Sequence, residues 1–159
     1  MSTFDPLAIL AALERHRVAY VIVGDLAGVL HGSDLIAKTV EIAPSLAPTN
    51  VERLDRALDD LGVAEKHRGP LQEMNAQSPP ISIPTKRGEM TLTATPDGTG
   101  GYQDLRRAAQ REPLGQGLRA PVASAPDLIR TLSVDGRSPL LEQRLRRIVE
   151  LERTLSPDL

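Results

Sequence analysis

"VIVGDLAGVLHGS" occupies residues 21–33, and "KTVEIAP" follows at residues 38–44. Together these two stretches decide the fold. The first opens on "VAYVIVG" at residues 18–24, a short continuous run rich in β-branched residues. Such a run is the pattern of a strand buried on both faces. Gly24 ends it, and "DLAGVLHG" gives about two helical turns, with Leu26, Val29 and Leu30 as the inward set. Gly32 stands where a helix C-terminus favours glycine. "AKTVEIAP" then reads as a second strand, stopped by Pro44.

Working outward, "DPLAILAALERHRV" predicts a first helix. Asp5 is placed to cap it and Pro6 suits its first position. Leu7, Leu10 and Leu13 form its apolar stripe. "TNVERLDRALDDLGV" gives the clearest helix: Thr49 or Asn50 caps it, Val51, Leu54, Leu58 and Leu61 keep the period, and Gly62 stops it. Residues 64–80 are polar, carry Pro70, Pro79 and Pro80, and read as a loop. "ISIPT" and "EMTLTAT" predict a hairpin turning around residues 86–88. "PDGTGG" is a turn, because "GTGG" lacks the Lys-Ser/Thr ending of a phosphate loop. "YQDLRRAAQ" predicts a helix, "LRAPVAS" a short strand, and "APDLIRTL" a helix with Ser124 as its cap. An amphipathic helix over residues 138–155 ends the pattern, with Leu141, Leu145, Ile148 and Leu155 on its apolar side. This order predicts an α/β (α+β) fold: a mixed sheet flanked by helices, with further helices at the C-terminal end. A chain of 159 residues is expected to form a single domain over 1–159.

Composition narrows the function. Aromatic residues make up 2 % of the chain and there is no cysteine. The core must therefore be aliphatic, and disulfides and thiolate metal sites are excluded. A net charge of -2 gives no overall electrostatic footprint for nucleic acid, which leaves only a local patch such as Arg106, Arg107 and Arg111. There is no membrane-length apolar run and no signal-peptide pattern, so the expectation is a cytoplasmic protein. His16, His31 and His67 have no metal-ligand spacing.

The chemistry-bearing residues fall on the second strand. Side chains two apart share a face, so Thr39 and Glu41 point the same way. Thr91 and Thr93 do the same on a later strand. If the strands are neighbours, the four make one polar patch. Gly24 lies where a strand turns into a helix start, a place that favours an anion such as phosphate, and Ser33 adds a hydroxyl nearby. A phosphate cradle beside a carboxylate patch is the layout of metal-assisted phosphoryl or nucleotidyl transfer.

The pieces "YVIVGDLAGVLHGS", "KTVEIAP", "TNVERLDRALDDLGV", "GEMTLTATPDGTGGYQDLRRAA" and "PVASAPDLI" resemble, in order and spacing, the small bacterial nucleotidyltransferases of the DNA polymerase beta-like fold. These include the minimal nucleotidyltransferases and the nucleotidyltransferase toxins. The resemblance covers about residues 18–132. It implies a nucleotidyltransferase-like mixed sheet and a glycine pair after the first strand, matched here by Gly24 and Asp25. It also implies two aspartates on the next strand, at Thr39 and Glu41, and a third on a later strand, at Thr91. The toxin-like branch implies a late lysine, near Leu132 and Arg130 here.

The departures fall on the functional positions. One carboxylate, Glu41, remains where the resemblance implies three, and threonine is a poor ligand beside a carboxylate. Asp25 brings negative charge to the place a triphosphate would approach, although an aspartate there also serves as a helix cap and dipole partner. The leading expectation is a catalytically degenerate member of the fold, needing no cofactor and acting as a binding or regulatory module. Its partner would be a protein, a second copy reached through the C-terminal helix, or nucleic acid. The alternative is an atypical, active Mg-dependent enzyme that takes an NTP, with Glu41, Asp25 and Asp34 holding one ion. Convergence of those three carboxylates would favour the alternative. A salt bridge from Glu41 to an arginine of a late helix would favour degeneracy.

Overall fold

A computed structural model describes residues 4–155. The ends of the expected 1–159 domain, residues 1–3 and 156–159, lie outside the described part. In chain order the elements are α1 (Pro6–Arg15), β1 (Tyr20–Val23), α2 (Gly24–Leu30), β2 (Thr39–Pro44), α3 (Pro48–Asp60), β3 (Ile81–Thr85) and β4 (Gly88–Leu92). Then come α4 (Tyr102–Leu105), β5 (Gln110–Gly115), β6 (Leu118–Val122), α5 (Ala125–Asp135) and α6 (Pro139–Leu155). Six strands form one mixed sheet in the order β3-β4-β2-β1-β6-β5. β1 runs antiparallel to β2 and parallel to β6, while β2 runs parallel to β4. The expected α/β architecture, a mixed sheet flanked by helices, is what the chain forms.

The register sorts the central side chains into two faces. Tyr20, Ile22, Val40, Ile42, Met90 and Leu92 share one of them and are all buried. Helix α1 covers that face, and Tyr20 Oη donates to Glu14 of α1 at 2.8 Å. Helix α3 packs beside α1, burying Val51, Leu54, Ala57 and Leu58. The opposite face carries Val23, Thr39, Glu41, Thr91 and Thr93. There α2 lies against β1 and β2, and α5 and α6 pack beyond it. Gly28 makes this layering close, because a Cβ at that position would stand 2.9 Å from Leu141 Cδ1 of α6.

Helices α1, α2 and α3 end alike. Two amides beyond each helix turn back to its last carbonyls: Arg17 to Glu14 and Val18 to Leu13, Gly32 to Val29 and Ser33 to Gly28, and Gly62 to Asp59 and Val63 to Leu58. This is the Schellman pattern, which needs a positive φ at its turning residue. Two of the three turning residues are glycine. The third is Arg17, at φ 55°.

Caps and segments depart from expectation in four places. Asp5 and Ser124 do cap α1 and α5, accepting from the amides of Ala8 and Asp127. Neither Thr49 nor Asn50 caps α3, which starts at Pro48. Asn50 is instead buried, bonding the amide and carbonyl of Ala19 and the carbonyl of Ser45. The expected loop at 64–80 contains two short 3-10 turns, Glu65–His67 and Leu71–Glu73, and buries Arg68, Leu71 and Met74. The helix expected through residue 110 stops at Leu105, and β5 follows it. β5 is an edge strand, where Pro113 costs no ladder bond on the open side.

Candidate ligand-binding cleft

Gly24 is the pivot of the site. The chain leaves β1 and enters α2 at this residue with φ +69°, a backbone state that disfavours any side chain. A Cβ here would also overlap Glu41 Oε1. The glycine thus lets the carboxyl of Glu41 lie against the start of α2. Asp25 follows as an exposed residue of the first helical turn. It does not cap α2: Val23 holds that position and no side chain bonds there. Asp25 therefore acts on the helix start as a charge.

Across the sheet, β2 and β4 pair in parallel, with Glu41 opposite Thr91. The four residues Thr39, Glu41, Thr91 and Thr93 do share one face. The bond that forms within them is from Thr93 Oγ1, which donates to Glu41 Oε2 at 2.7 Å. Thr93 is buried. The resemblance matched Thr91, and the period-two spacing pointed equally to Thr93. The parallel ladder is slanted, and it is Thr93 whose hydroxyl reaches the carboxyl.

Burial is the main force on Glu41 and raises its pKa above the ordinary carboxylate range. The hydrogen bond from Thr93 and the positive charge of Arg137 oppose this, while Asp25 and Asp135 push the same way as burial. The net shift is upward, because a charged group loses solvation when buried. Among the described residues Glu41 has no salt bridge to arginine; its partner is the neutral Thr93 hydroxyl.

A cleft of about 480 Å³ opens beside this carboxyl. Its sheet side is Val23, Thr39 and Glu41, with Gly24 and Asp25 at the start of α2. Leu128, Thr131, Leu132 and Asp135 of α5 form another side, and Leu141 of α6 closes the inner end. Leu35, Ile36, Pro96, Arg137 and Ser138 complete the lining. The wall from α5 and the following turn carries much of the cleft's chemistry. Sequence reading named Leu132 there but not Thr131, Asp135 or Arg137, which no motif marks.

The other residues singled out from the sequence lie elsewhere. Asp34 is ion-paired with Arg144 of α6 and is not part of the cleft wall. Ser33 is buried, and its Oγ accepts from the Leu35 amide at 3.1 Å, holding a local turn. Thr91 does not border the cleft. The carboxylates of Asp25, Asp34 and Glu41 therefore do not meet. Among the described residues, no three His, Asp or Glu side chains are grouped so as to hold a metal ion. A pair of magnesium ions is a poor fit to this donor set, since its central acid, Glu41, has hydroxyls for neighbours and the other carboxylates do not converge on it. The basic trio is likewise dispersed in role. Arg106 lies over the Tyr102 ring, 5.9 Å from its centroid, while Arg111 is held by Glu14 and the Arg119 carbonyl. No helix among the described residues is long and apolar enough to cross a membrane.

Neither family models nor curated proteins match the chain. Among solved structures it is similar to a "putative nucleotidyltransferase" from Thermotoga maritima, with a TM-score of 0.52 and 16 % identity. The match covers 96 % of this chain and 91 % of that one. The fold is therefore nucleotidyltransferase-like.

Proposed function

We propose that this chain is a catalytically degenerate protein of the nucleotidyltransferase fold, working as a binding or regulatory module for a protein partner. One observation carries the reading. The only acid left at the three positions matched to family aspartates, Glu41, is half-buried and held by a threonine hydroxyl, and among the described residues no metal-holding group of acids forms around it. Two-metal transfer needs several carboxylates that converge. Here Thr39 and Thr91 occupy the other two positions. Asp25 sets a negative charge at the rim where a triphosphate would enter, which repels such a ligand.

Loss of chemistry leaves a shaped cleft and an exposed helix end. Helix α6 buries Leu141 and Leu145 against the body, yet Leu151 and Leu155 are 56 % and 81 % exposed. That supports contact with a second chain through the distal part of α6. The test is transfer itself. The protein is incubated with each α-labelled nucleoside triphosphate, magnesium, and total RNA or protein from bacterial cells. The reading predicts no label in either acceptor. Label that appears with the wild type and vanishes with Glu41→Gln would establish the alternative, an atypical magnesium-dependent nucleotidyltransferase.

A further inference from the structure

The connection between α2 and β2 is lightly held. Ser33 anchors one end: it is buried, and its amide donates to the Gly28 carbonyl at 3.0 Å. Thr39 anchors the other end as the first residue of β2. Residues 34–38 between them form an extended strap. They make no turn or loop hydrogen bond between backbone groups, and the Leu35 amide bonds only the Ser33 hydroxyl. Asp34, Ile36 and Lys38 are exposed, while Leu35 and Ala37 are partly buried against the core. Segments with few hydrogen bonds and few buried contacts open at low free energy, without unfolding the rest.

One charge contact fastens the strap to a distant element. Asp34 pairs with Arg144 of α6. Arg144 lies one helical turn after Leu141, which lines the cleft, and Leu35 and Ile36 of the strap line the same cleft. The ion pair therefore ties two walls of the cleft together. The tie is incomplete. Asp34 meets Nη1 of Arg144, whereas the buried Nε has no partner. A carboxylate gripped at two points of the guanidinium would be held more firmly. Asp34 is also 73 % exposed, so water and salt compete for it.

We infer that residues 34–38 are a movable wall of the cleft, latched by the Asp34–Arg144 ion pair, so that access to the cleft rises when the pair is broken or screened. Exposed ion pairs contribute little to overall stability. That is the scale a latch needs: it changes the open population a few-fold and leaves the fold intact. The device goes beyond the binding-module reading, because it acts on entry to the cleft whether a protein segment or a nucleotide enters.

Two readouts test it on the full chain. A lysine-specific protease cuts after Lys38 when the strap opens, while Lys66 and Lys86, outside the strap, report on the rest of the molecule. The chain has no cysteine, so Thr131→Cys places a single thiol on the α5 wall of the cleft. Its rate of reaction with a bulky maleimide measures access. Asp34→Asn and Arg144→Gln are each expected to raise both rates about two- to fivefold relative to cutting at Lys66 and Lys86. The double variant should go no further, because the same contact is lost in all three. Sodium chloride at about 0.5 M should speed both reactions in the protein with the latch intact and not in the latch variants. Unchanged cutting at Lys38 in both single variants would overturn the inference. So would an equal rise at Lys66 and Lys86, since the pair would then support the whole fold. Additive effects in the double variant would overturn it too. Faster cutting at Lys38 with no change at the thiol would do the same, because the strap would then control nothing.

Discussion

Arg68 and Glu41 are both charged residues drawn into the body of the protein, and they are treated in opposite ways. Arg68 is 5 % exposed and fully engaged. Its guanidinium donates to the Val63 carbonyl and the Asp55 carbonyl and pairs with the carboxylates of Asp55 and Asp59. Burial pulls its pKa down, but the bonds it donates to Asp59 and Asp55 outweigh that and hold it above the usual value. Glu41 faces a cleft and has one neutral donor. The first arrangement is closed and serves the fold. The second is open to the cleft and held by a hydroxyl.

The largest effect expected from this contrast is on Arg68. Arg68→Ala removes the cation that ties the 64–74 segment to α3. It should lower stability by about 2–4 kcal/mol, the low side of a broken buried ion pair because both aspartates reach water. Urea unfolding measures this. A loss under about 0.5 kcal/mol, the range of an ordinary surface change, would place Arg68 among the surface residues and erase the contrast.

Gly24→Ala comes next. It forces a side chain into a positive-φ position and against Glu41 Oε1. A loss of about 1–3 kcal/mol follows from the strain and overlap. Combining it with Glu41→Ala should recover part of the loss, since the overlap is with that side chain. Simple addition of the two effects would deny the contact.

Glu41→Gln sharpens the comparison from the other side. The folded-state pKa of Glu41 lies above its unfolded value, so the native state holds this proton more tightly. Stability from this group is then greatest below the unfolded value and falls as pH rises through the folded value. The glutamine variant keeps a partner for Thr93 and removes that slope. Its stability relative to wild type should rise between acidic and neutral pH, by less than the Arg68 effect. A relative decline across that range would mean Glu41 is held as a carboxylate.

The smallest change is Arg17→Gly. At φ 55° the arginine occupies a turn where α2 and α3 use glycine. Relief of the left-handed strain should exceed the added chain entropy and raise stability by about 0.5–1 kcal/mol. Thermal unfolding measures it, and a decrease would show that the Arg17 side chain contributes packing.

Much of the fold was legible in the sequence, because β1, β2 and α3 are governed by local pattern. A four-residue strand of Tyr20, Val21, Ile22 and Val23 is buried on both faces, and its β-branched run says so. Arg68 was hidden for a physical reason. A polar, proline-bearing stretch looks like a loop unless one knows that two aspartates a helical turn apart on α3 will clasp its arginine. β5 was hidden by Pro113, which breaks a central strand but not an edge. In the candidate site, period two placed Thr39 and Glu41 on one face and Thr91 and Thr93 on another strand, and the register joined them. The other wall of the cleft was not legible. Thr131, Asp135 and Arg137 come to Glu41 only through the packing of α5 over the sheet, which no local spacing encodes.

The claim that the cleft has left metal-nucleotide chemistry is tested most directly by isothermal titration of the full chain with each nucleoside triphosphate, with and without magnesium. The account predicts no saturable, magnesium-dependent heat at millimolar nucleotide. Magnesium-dependent binding that disappears in Glu41→Gln would contradict it.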